Sequence, residues 1–558
     1  MNFLTLLAHL AGLASSAAAT NPSCRYIPGD AGWPDDSKWT SLNRTVHGQL
    51  IRTLPAGHVC HDPTYNEALC KDLQAKWGDP FFKTSLVEGV LTPSFVNNSC
   101  DPFGHRDDPC EIGGYTQYSI NVTSPEDVAA GIAFARRHNV RIVVKNTGHD
   151  FLGRSSAFGS LSLWTHNLKS KHVIDNYKSK GYNGPALKVG AGVQVREANE
   201  FIDKHGYMMV GGECPSVGLS GGYTAGGGHG PLSSEVGLAA DQTLEFEAIT
   251  ADGKLIRAAP DENEDLYWAL SGGGPGYAVV WSATYRIFPD RKMVGTNLIF
   301  DKSDRKTADQ DYWDVIEFWH SMAPNITDTG GYTYTGYNDS HFEMTPLFSP
   351  KQTREQVLAL LKPLHDKLDS LGMKYTSNTT EWSGYLPAWR EYFNWNEGGV
   401  QDNHGGSRLI PRKVILEKPK ELNAVIRKLT VEIGAVQEMT IGVKSPSNNN
   451  NAVNPAWRDA DIFFLISELL PEYTAAGIDD RLTHGWADLL REVAPNSGTY
   501  MNEADVYEVN WQQSFYGDHY PRLLQIKHKY DPHAVFYGTT MVGSEAWQRK
   551  DDGRLCRT

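Results

Sequence analysis

Gly211-Gly212-Glu213-Cys214-Pro215-Ser216-Val217-Gly218-Leu219-Ser220-Gly221-Gly222-Tyr223-Thr224-Ala225-Gly226-Gly227-Gly228-His229-Gly230 places nine of the chain's 53 glycines in 20 of its 558 residues. The window is several-fold enriched in a residue that permits positive φ and lets backbone N–H groups come close to a ligand. A folded glycine-rich loop can hold a pyrophosphate on its amide donors. A flexible linker would not carry Cys, Val, Leu and Tyr between its glycines. Two familiar motifs fit poorly. Gly218-Leu219-Ser220-Gly221-Gly222 has the G-x-S-x-G form of a serine-hydrolase elbow, yet no helical pattern follows it. A dinucleotide fingerprint fails because the glycines do not join a clear strand to a helix. A second knot, Gly272 to Gly276, reads as a structural turn before a strand.

Outward from this window the elements alternate. Ser124-Pro125 opens a helix, with a hydroxyl cap and proline in the first turn. Val128, Ile132 and Ala135 recur at helical spacing, and Asn139 stops the helix. Val140 to Lys145 is a buried strand leading into the loop Asn146-Thr147-Gly148-His149-Asp150. Residues 187–193 predict a strand and 194–205 a helix. Thr243 to Thr250 turns through Ala251-Asp252-Gly253-Lys254 into Leu255-Ile256-Arg257 as a hairpin, and Tyr277 to Phe288 is another β run. Residues 290–495 carry amphipathic helices, among them 354–371 and 419–434, with strands such as 461–469 between them. Ser445 to Pro455 reads as an exposed loop. Residues 20–114 read as an irregular layer with short helices, and no repeat of 20 to 50 residues is evident.

The net charge is −14, and no run of basic residues stands out. A nucleic-acid partner or an anionic membrane surface is therefore not expected. There is no Walker motif and no H-E-x-x-H zinc motif, so no metal is expected. Residues 1–19 combine a short apolar stretch with an A-x-A site and read as an export signal. Six N-x-[ST] sequons, at Asn43, Asn97, Asn121, Asn325, Asn338 and Asn378, suit a glycosylated, secreted chain. Cys60/Cys70 and Cys100/Cys110 are spaced for local disulfides in an oxidising compartment. Cys24 and Cys556 could tie the termini, although sequence does not fix connectivity. Cys214 is then left over.

Taken together, Lys145-Asn146-Thr147-Gly148-His149-Asp150 and the glycine cluster about 60 residues later resemble the vanillyl-alcohol oxidase superfamily of FAD enzymes. Cys214-Pro215-Ser216-Val217-Gly218 resembles its berberine-bridge-like branch. Tyr500-Met501-Asn502-Glu503-Ala504-Asp505, Asp531 to Tyr537 and Val542-Gly543-Ser544-Glu545 resemble the secreted fungal members called isoamyl alcohol oxidases. The resemblance implies FAD held by two covalent bonds, His149 to the 8α-methyl carbon and Cys214 to C6. It implies cofactor contacts from Val144, Lys145, Asn146, Thr147, Gly148 and Asp150, from Gly212, Gly218, Gly221, Gly222 and Gly228, and from Phe536 and Tyr537. Val217 matches a gate position that, when small, admits O2. Tyr500 is the preferred acid–base residue and Glu503 its rival. The chain departs from the pattern at Ala534, where plant members have Asn, and at Asn-Thr-Gly before His149, where Ser-Gly-Gly is commoner.

The expected fold is α+β and two-lobed. Residues 20–114 form a disulfide-rich layer and 115–290 the FAD-binding (PCMH-type) domain. Residues 291–495 form a substrate lobe of sheet backed by helices, and 496–558 a C-terminal berberine-bridge-like return. The expected activity is a secreted FAD-dependent oxidase. It takes hydride from an alcohol or related C–H donor, passes electrons to O2, gives hydrogen peroxide and works as a monomer. The alternatives are an oxidative cyclase or dehydrogenase of secondary metabolism, or a serine esterase using Ser220.

Overall fold

The computed structural model describes residues 24–303, 306–393, 403–443, 450–469 and 480–558. The expected export signal and residues 445–449 of the expected loop lie outside the described residues. The fold is α+β, built on three main sheets.

The first sheet has four strands in the order Leu50–Arg52, Tyr118–Asn121, Ser160–Trp164, Arg141–Lys145. Its last two pairings are parallel. The connecting helix Pro125–Arg137 begins where the sequence marks it. Ser124 Oγ accepts from Asp127 N, and Asp127 Oδ2 accepts from Ser124 N in return. Ser124→Ala is expected to lower stability by about 1 kcal/mol, read as a shifted denaturant midpoint at constant m-value. Asn139, at φ 52°, turns the chain out of the helix. Pleat alternation then divides the strand it feeds. Ile142 and Val144 face a large cavity. Arg141, Val143 and Lys145 take the opposite face and are buried.

The second sheet is antiparallel, in the order Lys171–Ser179, Tyr182–Gly190, Val279–Arg286, Thr243–Ile249, Leu255–Ala258. The helix Val195–Asp203 buries Val195, Ala198 and Ile202.

The third sheet is antiparallel with seven strands. Its order is Tyr375–Trp382, Met293–Asp301, His341–Ser349, Tyr332–Tyr337, Val436–Thr440, Ala460–Leu469, Asn403–Pro411. Period-two alternation gives it two apolar faces. Tyr337, Phe342, Ile462 and Phe464 pack with Leu361, Leu364, Leu422 and Ile426 of the helices Arg354–Ser370 and Pro419–Ile433. Tyr332, Phe348 and Phe463 belong instead to the core shared with the glycine-rich window. The sheet is thus backed by helices on one side and faces the first lobe on the other.

Residues past 499 return to the first lobe, where Phe536 forms a parallel bridge to Ile142. Lys527 holds that return, donating to Asp531 Oδ2 at 2.6 Å and to the Phe536 carbonyl at 2.7 Å. Disulfides join Cys24–Cys556, Cys60–Cys70 and Cys100–Cys110 and leave Cys214 as the free thiol. Among the described residues, no helix is long and apolar enough to cross a membrane.

Candidate active site

Three segments distant in sequence line one cavity of about 1450 Å³, its open mouth included. They are the loop 146–151, the glycine-rich window and the C-terminal return. Val144, Asn146, Thr147, Gly148, His149, Asp150, Val217, Gly218, Gly221, Gly222, Tyr500, Glu503, Phe536 and Tyr537 all line it. Lys145, Gly212, Cys214 and Gly228 do not. Lys145 lies on the other face of its strand, donates to the Leu86 carbonyl at 2.9 Å, and is pushed down to about 7 by burial. Gly212 accepts from the Trp389 indole at 3.0 Å behind the wall. A Cβ at Gly228 would meet the Tyr223 ring and Ala239 at 2.8 to 2.9 Å, so that glycine serves close packing.

The loop after the strand has little freedom. Gly148 has φ 83°, and a Cβ there would sit 2.4 Å from the Gly89 carbonyl oxygen. Asp150 accepts from the backbone N–H groups of Leu152 and Arg154, which curls the chain just after His149. Asn146 Nδ2 donates to the Ala191 carbonyl at 2.7 Å, while its Oδ1 is buried without a partner. A Cβ at Gly218 would lie 2.3 Å from Asn146 Nδ2, so the two segments touch only because residue 218 has no side chain. Gly148→Ala is expected to cost about 1–3 kcal/mol from backbone strain and to reduce flavin content, read as the ratio of flavin to protein absorbance after purification.

At the wall, His149 Nε2 lies 2.7 Å from Ser216 Oγ, and Ser216 Oγ lies 3.6 Å from Cys214 Sγ. Ser216 is fully buried. Enclosure pushes the His149 pKa down to about 3, which keeps its imidazole neutral and nucleophilic. Burial raises the Cys214 thiol, with the Ser216 hydrogen bond opposing.

A second cluster forms where the return meets the glycine-rich window, with Tyr500, Asn502 and Glu503 reaching the cavity. His229 Nε2 lies 3.1 Å from Glu503 Oε1, and Nδ1 lies 3.5 Å from Glu213 Oε1, an ion-pair distance. Burial alone would lower His229, but the two carboxylates outweigh it and raise it to about 10. The Tyr332 hydroxyl donates to Glu213. Tyr500 stands edge-on to His229 with ring centres 5.1 Å apart, and Trp457 and Phe463 close the box. Asn502 Nδ2 donates to Tyr500 Oη at 2.7 Å. Burial, with Glu503 and Glu213 adding to it, holds the Tyr500 phenol well above its ordinary value. The Glu503 side chain is 26% exposed, so its carboxylate can be reached from the cavity.

Two sequence readings change. The segment Leu219–Tyr223 is a kinked, helix-like turn rather than an unpatterned loop, broken at Gly221, whose φ −98° and ψ −133° are not helical. Even so, no hydrolase site forms among the described residues. The Ser220 hydroxyl is buried and accepts from Tyr285 Oη at 3.2 Å, and no His or acidic side chain bonds to it among the described residues. The second glycine knot is more than a turn, since Pro275 and Gly276 line the cavity. Sequence reasoning also passed over Ser216, His229 and Asn502. All three lay inside quoted motifs, but neither charge pairing nor hydroxyl bridging is readable before folding. Ala534, the departure from the plant pattern, sits outside the cavity at φ 47°, a conformation asparagine tolerates well.

The donor set fits FAD. The wall combines a positive-φ glycine loop, an unpartnered Asn146 oxygen and a neutral imidazole, and apolar Ile142, Val144, Val280, Phe536 and Tyr537 line the rest. Residues 116–259 match the family model "FAD binding domain", and 499–540 match "Berberine and berberine like". The FAD-linked oxidoreductase patO of Aspergillus clavatus is 40% identical over 543 residues, covering 96% of this chain and 94% of its own. The crystal structure of the VAO-type flavoprotein MtVAO615 from Myceliophthora thermophila C1 superposes with a TM-score of 0.91 at 39% identity. It covers 96% of this chain and 100% of that one. The Acremonium strictum glucooligosaccharide oxidase described with a 6-S-cysteinyl, 8α-N1-histidyl FAD shares the fold at 19% identity, with a TM-score of 0.66 over 78% of this chain and 93% of that one. The chain therefore belongs to the berberine-bridge-like FAD-linked oxidoreductases of the vanillyl-alcohol oxidase type.

Proposed function

We propose that this oxidoreductase is a secreted, glycosylated oxidase that carries FAD bonded to both His149 and Cys214 and acts on a small hydroxyl-bearing substrate. The observation that carries this reading is the chain of contacts from His149, on the wall of the glycine-lined cavity, through buried Ser216 to Cys214. The doubly linked FAD named for the Acremonium enzyme and the three disulfides support it, and none of the six sequon asparagines is buried.

Bound FAD supplies hydride acceptance from a substrate carbon and, on reoxidation by O2, hydrogen peroxide. The loop 146–151 and the glycine-rich window hold the cofactor by backbone groups. Val217, small and on the cavity wall, leaves O2 a path. Glu503 takes the substrate hydroxyl proton. It is a carboxylate within reach of the cavity, whereas the Tyr500 phenol is held well above 10 and ionises poorly. This reverses the order that the C-terminal motif alone suggests. Imidazolium His229 fixes the Glu503 carboxylate, while Tyr500, itself held by Asn502, lines the approach. The boundaries at 290/291 and 495/496 remain part of this reading, with the substrate entering between the lobes.

The test is an absorption spectrum before and after acid precipitation, followed by a peroxide-release screen of primary alcohols and oligosaccharides. Yellow colour in the pellet and peroxide with at least one class are expected. Colour that moves to the supernatant cancels the covalent bonds. Substrate turnover without peroxide makes the enzyme a dehydrogenase.

A further inference from the structure

We propose that Ser216 is the positioning and proton-relay residue of cofactor attachment: its buried hydroxyl joins the His149 imidazole to the Cys214 thiol and carries the thiol proton away as the sulfur–flavin bond forms. This rests on the bicovalent reading above. Three observations support the role. Ser216 Oγ lies 2.7 Å from His149 Nε2 and 3.6 Å from Cys214 Sγ. It is sealed from solvent. Its backbone is tied down as well, since the Gln194 amide donates to the Ser216 carbonyl at 2.7 Å. Water therefore cannot substitute for the hydroxyl without a rearrangement of the wall.

The contact does two things. At His149 it occupies Nε2 and leaves Nδ1 as the free ring nitrogen for the 8α carbon. At Cys214 its hydroxyl joins the backbone groups of Ser216 and Val217 around the sulfur and is the side chain that links the sulfur to His149, while burial holds that thiol protonated. In the second attachment the sulfur lone pair forms the bond to flavin C6. The thiol proton goes to Ser216 Oγ as the serine's own proton goes to His149 Nε2, which passes it on, since the lowered imidazole pKa lets it carry the proton only in transit. The C6 hydrogen leaves as a proton, two electrons pass to dioxygen, and the two hydrogens end in hydrogen peroxide. The Cys214 bond then forms faster once His149 is bonded, because an imidazole alkylated at Nδ1 presents Nε2 as an acceptor.

The full chain, produced under riboflavin limitation and then mixed with FAD, tests this by timed acid quenching and peptide mass analysis. In Ser216→Ala the His149 peptide should carry flavin, while the Cys214 bond forms about a hundredfold more slowly at pH 7. Raising the pH through the thiol range should restore its rate, and Ser216→Thr should restore it at pH 7. A merely structural defect would slow both bonds and ignore pH. That result overturns the relay, and so does bond formation in Ser216→Ala at the parent rate. A parent chain with no covalent flavin overturns the bicovalent reading itself. Folding of each variant is checked by its unfolding midpoint.

Discussion

His149→Ala combined with Cys214→Ala is expected to abolish covalent flavin, so that all colour moves to the supernatant on acid precipitation. Each single variant should keep a yellow pellet, because the two side chains attack different carbons of the ring. The direction follows from the site. Neutral His149 is a ready nucleophile, its pKa held near 3 by enclosure, whereas Cys214 must first lose a proton that burial retains. His149→Ala should therefore slow the Cys214 bond as well, while Cys214→Ala should leave the His149 bond untouched. Covalent FAD surviving in the double variant would end the attachment claim.

The second large effect concerns the proton acceptor. Glu503→Gln should lower kcat by about 10²–10⁴-fold with little change in KM, the usual weight of a positioned general base. Tyr500→Phe removes a hydroxyl but keeps the aromatic wall. It should cost about tenfold or less, in line with the roughly 0.5–1.5 kcal/mol of one hydrogen bond. A larger loss from Tyr500→Phe than from Glu503→Gln would make the tyrosine the base. The same cluster sets a pH signature. His229 is raised from the ordinary 6.5 to about 10 in the folded chain, so its contribution to stability is full below 6.5 and fades as the pH rises through 10. Glu503→Gln removes one of the two carboxylates that hold the imidazolium. The fall in Tm between pH 7 and 10 should then be shallower in the variant than in the parent, as a series of thermal melts would show.

Much of the fold could be read from local chemistry. The helix Pro125–Arg137 announces itself through Ser124, Pro125 and Asp127, whose bonds close within a few residues. The hairpin at Thr250 to Lys254 is likewise local, its Gly253 taking the positive φ that the turn needs. Less legible was the strand Lys171–Ser179, a partly buried strand whose few apolar residues, Val173, Ile174 and Tyr177, follow no period of two. It exists because Tyr182–Gly190 offers it a ladder.

The site divides along the same line. His149, Cys214, the glycines and the Tyr-x-Asn segment were recognisable in sequence, because the proposed covalent attachment and a close backbone approach demand particular residue types. Lys145, expected among the cofactor contacts, does not line the cavity, because adjacency in sequence does not say which way a strand residue points. The pleat turns it away from Val144 and Asn146. Ser216 and His229 were visible as letters and unreadable as roles. A serine becomes a bridge only when the loop 146–150 brings His149 against it. A histidine becomes a fixed cation only when Glu213 and Glu503, 290 positions apart in the chain, arrive on either side of one ring. The sequence by itself determined the residue types that an FAD-linked oxidoreductase needs and the short-range elements that carry them. Only the tertiary structure decided which side chains meet, because hydrogen bonds and ion pairs of about 3 Å between distant segments depend on packing, and no local pattern encodes that.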